Sequence, residues 1–281
     1  MNGFINLNKA AGASSAKEVS TIKRLCRTPC GHMGTLDPLA SGVLPVAIGN
    51  ACRLFDYFLS KKKTYVATFD FGEDYDTLDT TGEIVKSGGR VPSADEIRGV
   101  IPELVGEIMQ VPPRYSAKSV GGKRGYELAR KGVEFSLPPE RVNIYSIDLI
   151  GQSGEKSFVF EIECGGGTYI RSIARDMAQT LGTYAAMSAL ERTKSGPFSI
   201  ENSVKSSELT EDNLSGYVIP TESLLPYESF HADGITAKKL FNGLTVRCNL
   251  ADGVYKIFNA DDFYGLAVVE GGSIKVRTKL C

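Results

Sequence analysis

Hydrophobic and polar residues alternate along several short stretches of the chain, with the two-residue period that is typical of a half-buried β-strand. In residues 64–71, every second residue from Tyr65 onwards is apolar. The same pattern predicts strands over 3–8, 142–150 and 157–164, the last two joined by a turn.

A period of three to four residues predicts helices between these strands. One begins at two serines near residue 14, in a sequence similar to a capping box, and another begins at Ser93 with Glu96. A third is predicted from Tyr169 to a stop at Gly182, and a short one over 126–130. Because strands and helices do not repeat as βα units, we predict an α+β fold with a mixed, mainly antiparallel sheet.

The sequence changes character around 220–226, where prolines indicate a linker. Beyond it the pattern predicts one helical turn and several short strands, the last two joined at a Gly-Gly hairpin. We therefore predict a large domain over residues 1–222 and a small C-terminal β module over 223–281. A module of this size is expected to be an accessory unit.

Composition is that of an ordinary globular protein, with 42% apolar and 23% charged residues among 281. No apolar run approaches the roughly 18 residues of a membrane span, and the first residues do not form a signal peptide. Six scattered cysteines indicate reduced thiols. We therefore expect a soluble cytoplasmic protein.

Charge is close to balanced overall but segregated along the chain. Residues 1–36 hold five basic residues and one acidic residue, and residues 114–131 hold six basic residues and one acidic residue. The charged residues of 64–83 are all acidic. Basic clusters next to tyrosines can neutralise phosphates and stack on bases, which makes Lys123 and Arg124 candidate contacts to RNA. A solvated helix face is the alternative explanation.

The segment richest in candidate chemistry is 31–45, which reads GHMGTLDPLASGVLP. Its three glycines and two prolines predict a shaped loop rather than a regular element. The loop contains one carboxylate, Asp37, before a proline. From spacing alone this residue could be either a turn former or a catalytic group.

Two groups of side chains suggest metal sites. Cys26, Cys30 and His32 could begin a zinc site, but the fourth ligand would have to be the distant Cys52. An acidic loop suggests calcium, but it lacks the glycine and the final acid of an EF-hand, so its acids are expected to cap turns. These acids are Asp74, Asp76 and Asp79. We predict no metal and no cofactor.

Segment 31–45 resembles the signature of the bacterial TruB-type tRNA pseudouridine synthases. Other segments are similar to that family's motifs in the same order: KAAGASS at 9–15, KTY at 63–65, PPRYSAK at 112–118, GTYIR at 167–171 and LERT at 190–193. The resemblance covers about residues 1–200, and the C-terminal module is more weakly similar to a PUA-type RNA-binding module. It implies a pseudouridine-synthase catalytic domain.

The resemblance implies roles for particular residues. Asp37 becomes the catalytic aspartate, Tyr65 the ring that stacks on the target uracil, and Arg171 the partner of the Asp37 carboxylate. His32, Tyr169 and Leu190 become substrate contacts. The implied reaction at uridine 55 in the T loop of tRNA flips the base, breaks the N1–C1′ bond and joins C5 to C1′, which needs no metal or redox cofactor.

Two other functions remain open at this point. A non-catalytic RNA-folding protein could use the same cleft only for binding. A retaining glycoside hydrolase would need a second carboxylate about 5 Å from the first, and no second acid lies in the motif of Asp37. We expect a monomer whose partner is tRNA, without a membrane and without an obligate protein partner.

Overall fold

A computed structural model describes residues 1–59, 61–116, 118–120, 123–125, 133 and 135–280. The strands are β1 (Gly3–Lys9), β2 (Cys30–His32), β3 (Ser41–Ile48), β4 (Lys63–Phe71), β5 (Asp74–Tyr75), β6 (Ile84–Lys86), β7 (Gly106–Gln110), β8 (Ser119–Val120), β9 (Lys123–Arg124), β10 (Glu140–Gln152), β11 (Ser157–Cys164), β12 (Ala185–Ser195), β13 (Phe198–Ser199), β14 (Glu228–Ala232), β15 (Val246–Arg247), β16 (Gly253–Asn259), β17 (Asp262–Glu270) and β18 (Ser273–Lys279). The helices are α1 (Ser15–Cys26), α2 (Phe55–Leu59), α3 (Ala94–Leu104), α4 (Ile170–Thr180) and α5 (Gly234–Phe241).

A nine-stranded sheet forms the centre of the larger part of the chain, in the order β1-β3-β12-β4-β11-β10-β7, with β2 paired to β3 and β13 to β12. All of its pairings are antiparallel except that of β3 with β12. Every second residue of β4 is buried, as its apolar alternation requires. The predicted mixed, mainly antiparallel sheet is confirmed.

The predicted helices at residues 14, 93 and 169 are confirmed as α1, α3 and α4. Ser93 and Glu96 form a capping box, because each side chain bonds the other residue's backbone N–H. At α1 only half of this arrangement is present: the Ser14 hydroxyl accepts from the Lys17 N–H. The short helix predicted over 126–130 lies outside the described residues.

Several parts of the sheet differ from the sequence-based prediction, which did not include β2, β7, β12 or β13. Segment 31–45 is not a loop throughout, because its first residues belong to β2 and its last five to β3. Strand β12 was not predicted at all, although it lies in the middle of the sheet. Strands β2 and β3 leave residues 33–40 as the only part of segment 31–45 that is a loop.

The last part of the chain forms a separate five-stranded sheet in the order β14-β16-β17-β18-β15, crossed by α5. This matches the predicted C-terminal β module, to which the structure adds β14. The module packs against the first sheet through an apolar cluster that includes Phe4, Phe58 and Leu280. Among the described helices, none is long and apolar enough to cross a membrane.

Candidate active site

The loop that carries Asp37 connects β2 to β3, and its two ends depend on glycine. Gly34 has a φ of 128° and Gly42 a φ of 95°, both in the left-handed range that other residues rarely adopt. A Cβ on Gly42 would also collide with the backbone of Arg192 in the adjacent β12. The glycines therefore allow the loop to leave the sheet and return to it against a neighbouring strand.

Three buried polar side chains hold the backbone of this loop. The Lys9 ammonium donates to the carbonyl oxygens of Ala40 at 2.5 Å and Pro38 at 3.4 Å. The Ser15 hydroxyl donates to the Leu36 carbonyl at 2.8 Å and accepts from the Leu36 N–H at 3.0 Å. Buried backbone groups need hydrogen-bond partners. Because the loop is not part of a strand, these side-chain bonds supply the partners and fix its shape.

Arg192 supplies the third support, at both ends of the loop. Its Nε donates to the Val43 carbonyl at 2.7 Å and its Nη2 to the Gly34 carbonyl at 3.0 Å, while its side chain is almost fully buried. Within the described residues no carboxylate forms an ion pair with it. In the described part of the chain, its charged group is therefore held by backbone carbonyls rather than by a carboxylate.

The Asp37 carboxylate forms an ion pair with Arg171, with Oδ2 at 2.8 Å from Nη2. The Asp37 side chain is 37% exposed, whereas that of Arg171 is only 6% exposed. Arg171 lies in the first turn of α4, and its guanidinium also donates to the carbonyls of Thr77 at 2.8 Å and Tyr115 at 3.1 Å. A rigid, buried guanidinium thus orients a carboxylate that reagents can reach.

Asp79 lies on the other side of the same guanidinium, with Oδ2 at 3.5 Å from Nη1 of Arg171. Its Oδ1 accepts from the hydroxyl and N–H of Thr81 at 2.5 and 3.1 Å, and from the Thr77 hydroxyl at 3.0 Å. Asp79 therefore caps a turn, as predicted for the acidic loop, and also places that turn against Arg171.

Tyr65 lies on β4 directly across from Arg192 on β12, and both side chains are buried. Burial raises the pKa of Tyr65, and the positive charge of Arg192 partly offsets this effect. Two residues before it, Lys63 donates to the carbonyls of Leu59 at 2.7 Å and Lys61 at 2.8 Å. Burial lowers the pKa of Lys63 to about 8, and Arg192 adds to this shift.

One cavity of about 340 Å³ is lined by several of these groups, including Lys63, Arg171 and Arg192. Of the site residues predicted from the sequence, it brings together Asp37, Tyr65, Tyr169, Arg171 and Leu190. Tyr169 is fixed at the start of α4, because its N–H donates to the Gln110 amide oxygen at 2.8 Å and its carbonyl accepts from the Gln110 amide at 3.2 Å. The cavity therefore combines one exposed carboxylate with aromatic and aliphatic walls.

Three other predicted contacts are not among the groups described in this cavity. His32 lies on β2 and is not part of the cavity lining. Burial and the charge of Arg192 lower its pKa, and its buried Nδ1 has no hydrogen-bond partner among the residues that the structure describes. The side chains of Lys123 and Arg124 lie outside the described residues. The substrate roles of all three stay predictions.

Sequence reasoning gave no site role to Lys63 or Arg192, and for Asp79 it considered only turn capping near the site. Two of these residues were within reach of the motifs, since Lys63 belongs to KTY and Arg192 to LERT. The cavity also contains Lys118, which is ion-paired with Glu140 at 2.5 Å. Its lining is consequently richer in cations than in carboxylates, a charge balance that suits a phosphate-bearing ligand.

A larger cavity of about 550 Å³ lies at the junction with the C-terminal sheet. It is lined by Thr221, Phe263 and Leu280 among others, and it lacks a carboxylate–guanidinium pair like that of Asp37 and Arg171. In the described part of the chain, no group of three His, Cys, Asp or Glu side chains could hold a metal ion. The chemistry therefore points to the smaller cavity.

Comparison with known proteins identifies one family over most of the chain. Residues 23–170 match the TruB family pseudouridylate synthase N-terminal domain, and residues 171–226 match the tRNA pseudouridylate synthase B C-terminal domain. The tRNA pseudouridine synthase B of Clostridium tetani is 37% identical over 275 residues, covering 95% of each chain. That of Anaplasma marginale is 40% identical over 274 residues, covering 93% of this chain and 89% of its own.

Solved structures resemble the whole chain. A chain in the crystal structure of a Cbf5–Nop10–Gar1 complex superposes with a TM-score of 0.73 at 27% identity, covering 99% of this chain and 85% of its own. A chain in an H/ACA RNP bound to a substrate RNA containing 2′-deoxyuridine gives a TM-score of 0.70 at 25% identity, with the same coverage. The similarity therefore includes the C-terminal sheet.

Proposed function

Because the chain belongs to the TruB family of pseudouridylate synthases, we propose that it isomerises uridine to pseudouridine at position 55, in the T loop of tRNA. The observation that carries this proposal is the ion pair of Asp37 with Arg171 at the mouth of a cavity that also contains Tyr65. The reaction is an intramolecular transfer of uracil from an N1 to a C5 linkage on the same ribose.

Asp37 is the group that acts at the sugar. A carboxylate can attack or assist at C1′ while the N1–C1′ bond breaks, as it does in glycosidases. Arg171 balances the carboxylate charge and, because its planar fork is itself bonded to two carbonyls, keeps one carboxylate oxygen in a fixed direction. The more exposed Asp37 faces the substrate side of this pair.

The uracil must leave its stack to reach Asp37, which costs a few kcal/mol. Stacking on an aromatic ring returns about 1–3 kcal/mol, and Tyr65 offers such a ring in the cavity wall. Tyr169 and Leu190 enclose the base from other sides. After C5 joins C1′, the proton on C5 is lost and N1 gains one, and we assign the Tyr65 hydroxyl to relaying this proton from C5 towards N1.

The tRNA backbone is held by cations around the cavity and by the basic segment 114–131, including Lys123 and Arg124. His32 contacts the substrate from the β2 side. We propose that the protein acts as a monomer in the cytoplasm. A division at residues 222 and 223 is supported by the end of the second family match at 226 and by the start of β14 at Glu228.

The test is release of tritium from C5-labelled uridine in a T-arm minihelix. Wild-type protein is expected to release one tritium per target uridine, and Asp37→Asn and Asp37→Ala to release essentially none while binding the minihelix with nearly unchanged affinity. Asp95→Asn on the exposed surface of α3 is the matched control and keeps full activity.

Activity of Asp37→Ala above a tenth of wild type would remove this carboxylate from the mechanism. Wild-type protein that binds and refolds the minihelix without releasing tritium would instead support the RNA-folding function. A minihelix with cytidine at position 55 checks that the release comes from that position.

A further inference from the structure

A pair of thiols lies outside the candidate active site, where α1 ends and β2 begins. Cys26 is the last residue of α1 and Cys30 the first of β2, and their Sγ atoms are 3.4 Å apart. Both side chains are half-buried, so small reagents in solution can reach them. All the cysteines of the described residues are free thiols.

We propose that Cys26 and Cys30 form a reversible oxidation site, a dithiol that a hydroperoxide converts into an intrachain disulfide and that a thiol or phosphine reductant restores. The proposal does not depend on the proposed function, since neither cysteine lines the cavity of Asp37.

The local backbone already brings the two sulfurs together. Arg27 ends α1 in the left-handed conformation, with a φ of 51°, and the Thr28 hydroxyl donates to the Cys26 carbonyl at 2.9 Å. This turn folds the chain back within three residues. Because an S–S bond is about 2.05 Å long, the sulfurs need to approach each other by only about 1.4 Å.

The chemistry divides between an attacking and a resolving thiol. The Cys26 thiolate attacks one oxygen of the hydroperoxide, the O–O bond breaks, and a sulfenic acid forms while the leaving oxygen takes a proton. The Cys30 sulfur then displaces the sulfenic hydroxyl, which leaves as water, and the S–S bond forms. Two thiols are oxidised, and the hydroperoxide is reduced to water and either water or an alcohol.

The surroundings of the pair favour this division. Burial raises the pKa of the Cys30 thiol, and its hydrogen bond with Cys26 acts in the same direction, so Cys30 keeps its proton until the second step. Lys23, in the last turn of α1, lies close enough to Cys30 for its positive charge to favour the thiolate of that residue, which the second step needs.

Other thiols define the competing reactions. Cys52 is close enough to Cys30 to influence it, but its Sγ faces the Ala47 carbonyl at 3.6 Å. Cys164 is buried in the core, and Cys248 is a half-buried thiol beside the C-terminal sheet. Cys248 is therefore a control for a thiol of similar accessibility outside this pair.

The experiment exposes the full-length protein to a slight excess of hydrogen peroxide, alkylates the remaining thiols and maps the peptides by mass spectrometry. Wild type and Cys248→Ser are expected to form one disulfide joining residues 26 and 30, and to regain all thiols after treatment with a phosphine. Cys30→Ser is expected to form no disulfide, and dimedone traps its Cys26 as a sulfenic acid. Cys26→Ser leaves Cys30 unmodified.

Circular dichroism of each serine variant confirms that it is folded before oxidation. A disulfide that maps to Cys52, or wild-type thiols that all remain open to alkylation, would overturn the proposal. So would oxidation of Cys26 at the same rate as Cys248, or a Cys30→Ser variant that loses two thiols as the wild type does.

Discussion

Replacing Arg192 tests how the loop of Asp37 is held. Arg192→Met keeps most of the apolar stem but removes the guanidinium, and so leaves the carbonyls of Val43 and Gly34 without donors. Each unsatisfied buried carbonyl costs about 1–3 kcal/mol. Removal of an unpaired buried charge offsets part of this cost, so we expect a loss of about 3 kcal/mol in the free energy of unfolding.

Arg192→Lys separates charge from geometry. A lysine keeps the positive charge but cannot donate to two carbonyls in the directions that a guanidinium fork reaches, so one of the two carbonyls loses its partner. We expect a loss of about 1–2 kcal/mol in the free energy of unfolding. Because the freed end of the loop is next to Asp37, single-turnover rates on the minihelix should fall in both variants.

Urea unfolding measures the effect, as a lower midpoint at an unchanged slope m. The matched control is Arg141→Met, whose partner Glu107 is 3.1 Å away and whose side chain is 72% exposed. This surface pair should be worth no more than about 0.5 kcal/mol. If Arg192→Met were as stable as the control, the guanidinium would not be what holds the loop.

Three further predictions concern the cavity and its surroundings. Tyr65→Phe keeps the ring but loses the hydroxyl, so its single-turnover rate should fall about 100-fold with minihelix binding preserved, and a wild-type rate would limit Tyr65 to stacking. Changing Lys123 and Arg124 together to alanine should reduce the slope of log affinity for tRNA against log salt concentration by about one to two units. An unchanged slope would support the alternative that this segment is a solvated helix face. Lys63 releases its proton at about pH 8 in the folded protein and near 10.5 when unfolded. Between these pH values the unfolded chain binds more protons than the folded one, so the wild type should gain stability relative to Lys63→Met as the pH rises. Urea unfolding at several pH values measures this, and a difference in unfolding free energy that does not change with pH would contradict the lowered pKa.

Several strands that the sequence predicted have one buried face. Strands β4 and β11 alternate between buried and less buried residues, and this alternation is visible in the sequence. Strand β12 lies between two other strands and buries several consecutive residues, beginning Ala185, Ala186 and Met187. A strand buried on both faces has no alternation to detect, and small residues give it no strong β propensity.

Strand β3 was not predicted for a different reason. Pro45 and Gly42 lie inside it, and both residues normally argue against a strand. Here the parallel pairing of β3 with β12 involves only Ser41 and Gly42, so Pro45 does not have to donate a hydrogen bond to that neighbour. Pairing of this kind depends on the tertiary arrangement, which periodicity does not contain.

The site could be predicted only as far as the resemblance reached. Asp37, Tyr65 and Arg171 were named from motifs, and the structure places them in one cavity, although their roles stay predictions. Arg192 was left without a role because arginine is rarely buried unless it is paired. Its partners are backbone carbonyls, and no side-chain pattern in a sequence indicates those.

The supports of the Asp37 loop also determine when the loop can form during synthesis. Lys9 and Ser15 precede the loop, but Arg192 reaches the carbonyls of Val43 and Gly34 from 149 and 158 residues further along the chain. A nascent chain that ends before β12 therefore lacks both the central strand and the guanidinium, and contacts between such distant residues form late in folding. The loop that carries the Asp37 carboxylate therefore leaves the ribosome before β12 does, and it acquires its shape only after β12 has been made.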